Sequence, residues 1–267
     1  MEKERVLITG STDGIGKSAA MYLAENGYRV IVHGRSKEKV DEITFEIDNN
    51  ASAVYADFED LKDVARMVDE IRENYQDLSI LINNAGVFEH TRRITKDGLE
   101  ATFQINYLAH FLLTLKLLDL LKKNAPAYII NVSSMVHASS YNKSNIQGEQ
   151  RYDGYTAYGV SKLFNVLFTY KLADMLKEEN VHVYAVHPGV INTKLLVKGW
   201  GAVGSSPVVG AKNILSPILN DKLREKTGIY VEYGKVKKSK PITYSKEEQD
   251  FLWNYSLELL KSRGIKI

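Results

Sequence analysis

Arg5-Val6-Leu7-Ile8-Thr9-Gly10-Ser11-Thr12-Asp13-Gly14-Ile15-Gly16 decides how the rest of the chain is read. A short β-type run ends in a glycine turn. Ala19, Ala20, Leu23 and Ala24 then recur on one side of a helix that Gly27 stops. Strand, glycine turn and helix in that order make a place for a pyrophosphate. Glycines permit a tight turn and close backbone approach, and a helix N-terminus favours negative charge. The spacing is Gly-x-x-x-Gly-x-Gly, not Gly-x-Gly-x-x-Gly. Such a turn can also simply connect two elements; its place after the first strand favours the nucleotide.

Outward from that turn, apolar strands fall at residues 28–33, 51–56, 78–82, 127–132, 181–186 and 228–232. Helical spacing fills 36–48, 61–75, 97–123, the stretch carrying Tyr158 to about 179, and 246–262. Strand and helix alternate at roughly 25-residue intervals without a low-complexity linker or internal repeat. The pattern predicts one α/β domain over residues 1–267, a doubly wound parallel seven-stranded sheet of Rossmann type with helices on both faces. A substrate loop is expected at about 194–220.

Composition narrows the classes. With 44% hydrophobic and 25% charged residues the chain is ordinary for a globular protein, and a net charge of +2 does not suggest nucleic acid. The basic run at 235–240 is interleaved with Val236 and Ser239 and reads as a solvated loop. There is no cysteine, which excludes disulfides, thiolate nucleophiles and Cys-ligated zinc. Glu2, Lys3, Glu4 and Arg5 run straight into a strand, unlike a secretory signal. The greasy stretch 107–121 contains His110, Lys116 and Asp119 and is too short to span a bilayer. A cytoplasmic protein with no membrane anchor, no metal and a small-molecule substrate is the expectation.

Two local patterns carry chemistry. Tyr158 and Lys162, four apart in Tyr155-Thr156-Ala157-Tyr158-Gly159-Val160-Ser161-Lys162, share one helix face. An ammonium beside a phenol would lower its ordinary value of about 10 and make it a usable acid and base. With 16 tyrosines in the chain the pair alone could be chance. At the end of the second strand stands His33-Gly34-Arg35-Ser36. An acidic residue there would favour NAD(H) by bonding ribose hydroxyls. Glycine followed by an arginine fork favours NADP(H), unless Arg35 is a plain surface residue.

Several motifs in order then resemble the short-chain dehydrogenase/reductase family. They are Thr9-Gly10-x-x-x-Gly14-x-Gly16, Asn83-Asn84-Ala85-Gly86, Asn106 in its Asn-Tyr-Leu-Ala-His run, Asn131-Val132-Ser133-Ser134, Tyr158-x-x-x-Lys162, and Pro188-Gly189 with Thr193. The finer resemblance is to the retinol-dehydrogenase-like branch that includes WW-domain oxidoreductase, shared also by the wide gap between Ser134 and Tyr158. It implies a tetrad of Asn106, Ser134, Tyr158 and Lys162. Tyr158 is the proton donor and acceptor, Lys162 holds the nicotinamide ribose, Ser134 donates to the substrate oxygen, and Asn106 holds a water leading to Lys162. Ser133 is the rival of Ser134, and Asn106 could instead be a buried amide satisfying a helix. For the cofactor the resemblance implies Gly10, Ser11, Thr12, Gly14, Ile15 and Gly16 at the turn, with Arg35. Asp57 and Phe58 are placed at the adenine, Asn84 at the adenosine ribose, and Pro188, Gly189 and Thr193 at the carboxamide. Asp57 could equally cap the helix after it.

Phe88, Val136, Tyr155, Leu195 and Trp200 are the expected substrate walls, and the glycine-rich stretch 199–207 reads as a lid. His137 and His187 read as structural. On the Tyr158 helix, Leu163, Val166, Leu167 and Tyr170 form one apolar stripe, and Val160, Phe164, Phe168 and Met175 another. So wide an arc suggests a homodimer or homotetramer through this helix, with Tyr158, Lys162, Asn165 and Thr169 facing the site. The expected function is an NADP(H)-dependent oxidoreductase interconverting a carbonyl and an alcohol. The alternative is an NADP(H)-binding regulatory or scaffold protein with little turnover.

Overall fold

The computed structural model describes residues 3–201 and 203–267. Glu2, read above for its charge, and Ala202, within the expected lid, lie outside the described residues, as does Met1. β1 (Arg5–Ile8) leads to α1 (Gly14–Glu25), whose cap Asp13 accepts from the Gly14 N–H. β2 (Arg29–Gly34) passes through the Ser36 cap into α2 (Lys37–Ile47), and β3 (Ala51–Tyr55) through the Asp60 cap into α3 (Leu61–Asn74). After β4 (Leu78–Asn83), Glu100 caps a helix that starts as α4 (Ala101–Phe103). It widens into a π-helical turn over Gln104–Leu108 and continues as α5 (Ala109–Lys123). β5 (Ala127–Val132) is followed by α6 (Gly154–Met175), capped by Asp153, and by β6 (Val181–His187). Then come α7 (Lys194–Trp200), α8 (Pro207–Leu219) and α9 (Asp221–Arg224). β7 (Ile229–Glu232), β8 (Lys235–Lys237) and α10 (Lys246–Ser262) close the order. Each capping side chain pairs N–H groups that the helix itself cannot.

The strands form one sheet in the order β3-β2-β1-β4-β5-β6-β7-β8, parallel except for the last pair. The order reverses between β1 and β4, which opens a crevice at the carboxyl ends of the strands. Alternate residues of β1 feed two cores. Leu7 packs with Ile31, Leu81 and the faces of α3, α5 and α6, while Val6 and Ile8 pack with Ile80, Ile82 and the faces of α1 and α8. Burial on both sides explains why these strands read as unbroken apolar runs.

An eighth strand stands where part of the solvated 235–240 loop was expected. Glu232 pairs with Lys235 across the two residues Tyr233 and Gly234, both at positive φ (49° and 69°). That is the backbone of a tight hairpin turn. All three β8 residues are exposed, and lysines on an edge strand discourage pairing with another chain. The 194–220 segment is mostly helix, α7 and α8, not loop. No helix among the described residues is long and apolar enough to cross a membrane.

The apolar arc of α6 is largely covered from within the chain, which removes the basis for expecting a dimer there. Trp253 of α10 packs on Phe111 and Phe168, with ring centres 5.2 and 6.2 Å apart, and Tyr141 lies edge-on to Phe164 at 5.1 Å. Tyr170 stacks on Tyr244 and bonds Ser239. Of the two stripes only Met175, at 50%, is exposed, and Val160 is half-buried. Asn165 and Thr169 do not face the crevice as expected. They hydrogen-bond β5, Asn165 to the Val132 carbonyl and Thr169 to Asn131.

Candidate active site

Tyr158 and Lys162 sit one turn apart on α6, 7% and 3% exposed, at the crevice above β4, β5 and β6. Asp153 fixes where that helix begins by accepting from the Thr156 N–H at 2.8 Å. The Lys162 ammonium lies 5.6 Å from the Tyr158 ring centre and donates to the Val132 carbonyl at 2.9 Å. The crevice encloses about 690 Å³. At one end it is lined by Gly10, Thr12, Gly14, Ile15 and Gly16, and at the other by Ser134, Tyr158 and Lys162. Arg35, Asp57, Phe58 and Asn84 lie along it, and Pro188, Gly189 and Thr193 flank it.

The glycine turn is packed too tightly for side chains. A Cβ on Gly16 would stand 2.2 Å from the Gly10 carbonyl oxygen and 2.6 Å from Asn84 Nδ2, while Gly14 has φ +53°. Gly34 is small for a like reason, since a Cβ there would meet Thr12 Cγ2 at 2.8 Å and Val40 at 3.1 Å. A side chain at that position would press on the Thr12 and Val40 methyls. Arg35 is 72% exposed and held only loosely, its Nη1 3.7 Å from Glu59, which Arg93 grips with two nitrogens. Lys39, not foreseen, lines the same end one helical turn after Arg35; the spacing of four was its signal in the sequence.

Other expected residues fall differently. Ser11 is fully buried and does not line the crevice. Its hydroxyl donates to the Ile8 carbonyl and accepts the His33 N–H, tying β1 to β2. Asp57 lines the crevice while the helix after it is capped by Asp60; the Asp57 carboxylate accepts the nearby Glu59 N–H. Ser133 donates to the Lys162 carbonyl at 2.8 Å, whereas the Ser134 hydroxyl accepts the Val136 N–H at 3.3 Å and lines the crevice with Tyr158.

Asn106 does not reach the crevice. It sits in the π turn, a helical irregularity frequent at functional sites. Its amide accepts from the Val87 N–H at 2.7 Å and donates to the Val87 carbonyl and Ser161. Gly86 lies between it and Lys162: a Cβ there would be 3.3 Å from Asn106 Oδ1 and 3.6 Å from Lys162 Nζ.

Among the expected walls, Val136, Leu195 and Trp200 line the crevice. Phe88 does not. It is buried behind Trp200, with ring centres 5.1 Å apart, and 6.0 Å from Tyr158. Tyr155 is also no wall; its hydroxyl donates to the Gly199 carbonyl at 2.6 Å and so ties α6 to α7. Met135 and Val190, which were missed, line the crevice. His137 bridges the Ser134 carbonyl and the Lys240 N–H. His187 lines the crevice, and neither of its ring nitrogens has a partner among the described residues.

One electrostatic expectation is reversed. Burial pushes the Tyr158 phenol up to about 12, against a hydrogen bond with Ser134 that lowers it. Burial pushes the Lys162 ammonium down to about 8. In the protein alone, desolvation outweighs any help the cation gives the phenol. No group of three His, Asp or Glu side chains that could hold a metal occurs among the described residues.

Comparison with known proteins points to one family. The sequence pattern of the short chain dehydrogenase family matches residues 4–200. Retinol dehydrogenase 12 of Mus musculus is 38% identical over 270 residues, covering 96% of this chain and 85% of that protein. Polyprenol dehydrogenase of Homo sapiens is 35% identical over 279 residues, covering 95% and 84%. A crystal structure of an uncharacterized protein from Mycobacterium paratuberculosis superposes with a TM-score of 0.81 at 27% identity, covering 97% of this chain and 94% of that one.

Proposed function

The chain belongs to the short-chain dehydrogenase family of nicotinamide-dependent oxidoreductases, and from that premise we propose that it interconverts a carbonyl (ketone or aldehyde) and an alcohol with NADP(H) in preference to NAD(H). The observation that supports this best is the meeting of Tyr158, Ser134 and Lys162 at one end of a crevice whose other end is the glycine turn. In reduction Tyr158 gives its proton to the carbonyl oxygen, and in oxidation it takes the alcohol proton. Ser134 donates to the same oxygen where negative charge grows. The cofactor, when bound, supplies or accepts the hydride.

The residues present fit a dinucleotide. Lys162 has three N–H donors and the Val132 carbonyl takes one. The others are free to hold ribose hydroxyls, and those bonds favour its charged form. A charged Lys162 beside the ring then works against the high phenol value. Arg35 and Lys39 offer two cations for a 2′-phosphate, and Gly34 puts no acid at the end of β2. In place of the expected water contact, Asn106 supports the site through Ser161, the neighbour of Lys162 on α6, and through Val87, next to Gly86. Val136, Leu195 and Trp200 wall the substrate, with the 194–220 segment as the selecting part of a single domain.

A panel of ketones, aldehydes and alcohols, read by NADPH consumption or NADP reduction, tests this with Tyr158→Phe as the blank. Turnover by the wild type and loss of at least about a hundredfold in the variant is the expected result. Cofactor binding without turnover of any panel member would favour the regulatory or scaffold reading instead.

A further inference from the structure

His110 is the second residue of α5, just after the π turn, and is 2% exposed. Its two ring nitrogens reach opposite parts of the molecule. Nε2 is 2.8 Å from Thr9 Oγ1, and Nδ1 is 3.2 Å from the carbonyl oxygen of Asn106. The direction of both bonds can be deduced. Thr9 Oγ1 already accepts the N–H groups of Asn84 (2.8 Å) and Ala85 (3.0 Å). A hydroxyl has two acceptor positions and one donor, so its hydrogen must be given away. His110 Nε2 is the near acceptor, while the Ile82 carbonyl is 3.4 Å off. The Asn106 carbonyl can only accept, so Nδ1 carries the ring hydrogen.

One imidazole therefore splices two machines. On the Nε2 side, Thr9 opens the glycine turn, and Asn84 closes over it by donating to the Thr9 and Gly10 carbonyls. On the Nδ1 side, the amide of Asn106 holds Val87 and Ser161, and Ser161 donates to the carbonyl of Tyr158. The ring face also meets Phe58 edge-on at 5.2 Å, and Phe58 lines the nucleotide end of the crevice. Replacing this ring by an apolar one would take from the buried Thr9 hydroxyl its near acceptor, leaving it the Ile82 carbonyl at 3.4 Å, and would cut the side-chain link to the Asn106 carbonyl.

The geometry points to His110 as a positioning residue that locks the glycine turn to the π turn, so that nucleotide affinity is set through Nε2 and Asn106 placement through Nδ1. This rests on the oxidoreductase reading for the second half only. The two ends can be cut separately, because an asparagine amide reaches the place of Nδ1 and a glutamine amide that of Nε2. His110→Gln should keep the NADPH dissociation constant within about threefold and lower kcat at saturating NADPH by about tenfold or more. His110→Asn should do the reverse, weakening NADPH by about tenfold with kcat within about threefold.

Thr9→Val cuts the same link from the other side and guards against a His110 variant that fails to fold. It should weaken NADPH as His110→Asn does, and the two changes together should add less than their sum. Calorimetric titration with NADPH supplies the affinities without any turnover. A wild type that binds NADPH but turns nothing over would sink the catalytic reading alone, leaving the affinity split to decide the splice. Equal losses in the Asn and Gln variants, or full additivity with Thr9→Val, would overturn it.

Discussion

Beneath the glycine turn, Thr9, Ser11, His33 and His110 are all buried, and each is held by side-chain hydrogen bonds to a neighbouring strand or helix. Across the crevice Met135, Val136 and Trp200 are 46%, 47% and 38% exposed, with apolar or ring side chains facing it. The two walls differ in what a change costs. An unpaired buried polar group costs about 1–3 kcal/mol, so the floor tolerates one arrangement. Losing part of an exposed apolar wall removes contact area and leaves nothing unsatisfied. The glycine turn thus rests on the rigid side, and the proposed choice of substrate falls to the adaptable one.

Gly16→Val strikes the floor hardest. Its Cβ would collide with the Gly10 backbone carbonyl and with the Asn84 amide, which is tied to the Thr9 and Gly10 carbonyls. NADPH binding should fall below detection in calorimetry, with a stability loss of about 1–3 kcal/mol or more in urea melts. Near-normal binding would mean the turn is not the nucleotide cradle.

Acid should find the floor next. Burial holds His33 at about 4, His110 at about 3 and His187 at about 4, below the ordinary 6.5. Between pH 6.5 and 4 the unfolded chain takes up protons that the native one refuses. Stability is therefore full above pH 6.5 and falls as pH drops through that window. Up to about 3 kcal/mol per histidine is at stake, since each pKa unit is worth about 1.4 kcal/mol. Urea midpoints from pH 7.5 to 4.5 should decline, and less steeply in His110→Gln. A flat profile would show that these rings are hydrated in solution.

The same contrast explains what the sequence disclosed. The glycine turn, its flanking strand and the helix caps are local, so a dozen residues sufficed to read them. Motif spacing also grouped Ser134, Tyr158 and Lys162, which line one crevice in the structure. Long-range facts stayed hidden. That α10 lies over α6 depends on Trp253 meeting Phe111 and Phe168, partners far apart in the chain. Phe88 lies behind Trp200 because α7 folds over it, which no spacing encodes. The hairpin before β8 was missed because its first turn residue is Tyr233, not the Asn or Asp that usually marks positive φ. The phenol's direction failed because sequence shows a neighbouring cation but not the burial that opposes it.

Arg35→Glu probes the border between floor and wall. Arg35 is exposed and only loosely paired with Glu59, so its removal should leave stability unchanged. NADPH should lose about 10–100-fold in KM, the worth of a charge-assisted phosphate contact, while NADH changes little. Wild-type preference for NADH would refute the assignment of NADP(H).

Trp200→Ala should have the smallest effect and the most selective one. The indole lies 5.4 Å from the Tyr158 ring and 5.5 Å from Tyr155, at the end of a helix that Tyr155 anchors through Gly199. It bears on the space above the phenol but hydrogen-bonds none of Tyr158, Ser134 or Lys162. Small carbonyls should keep kcat/KM within about threefold, while bulky apolar ones gain or lose about tenfold as the wall recedes. NADPH affinity should not move. If instead every substrate lost the same large factor, Trp200 would belong with the floor, and the division between a fixed nucleotide side and an adaptable selecting side would fail at the residue that best represents it.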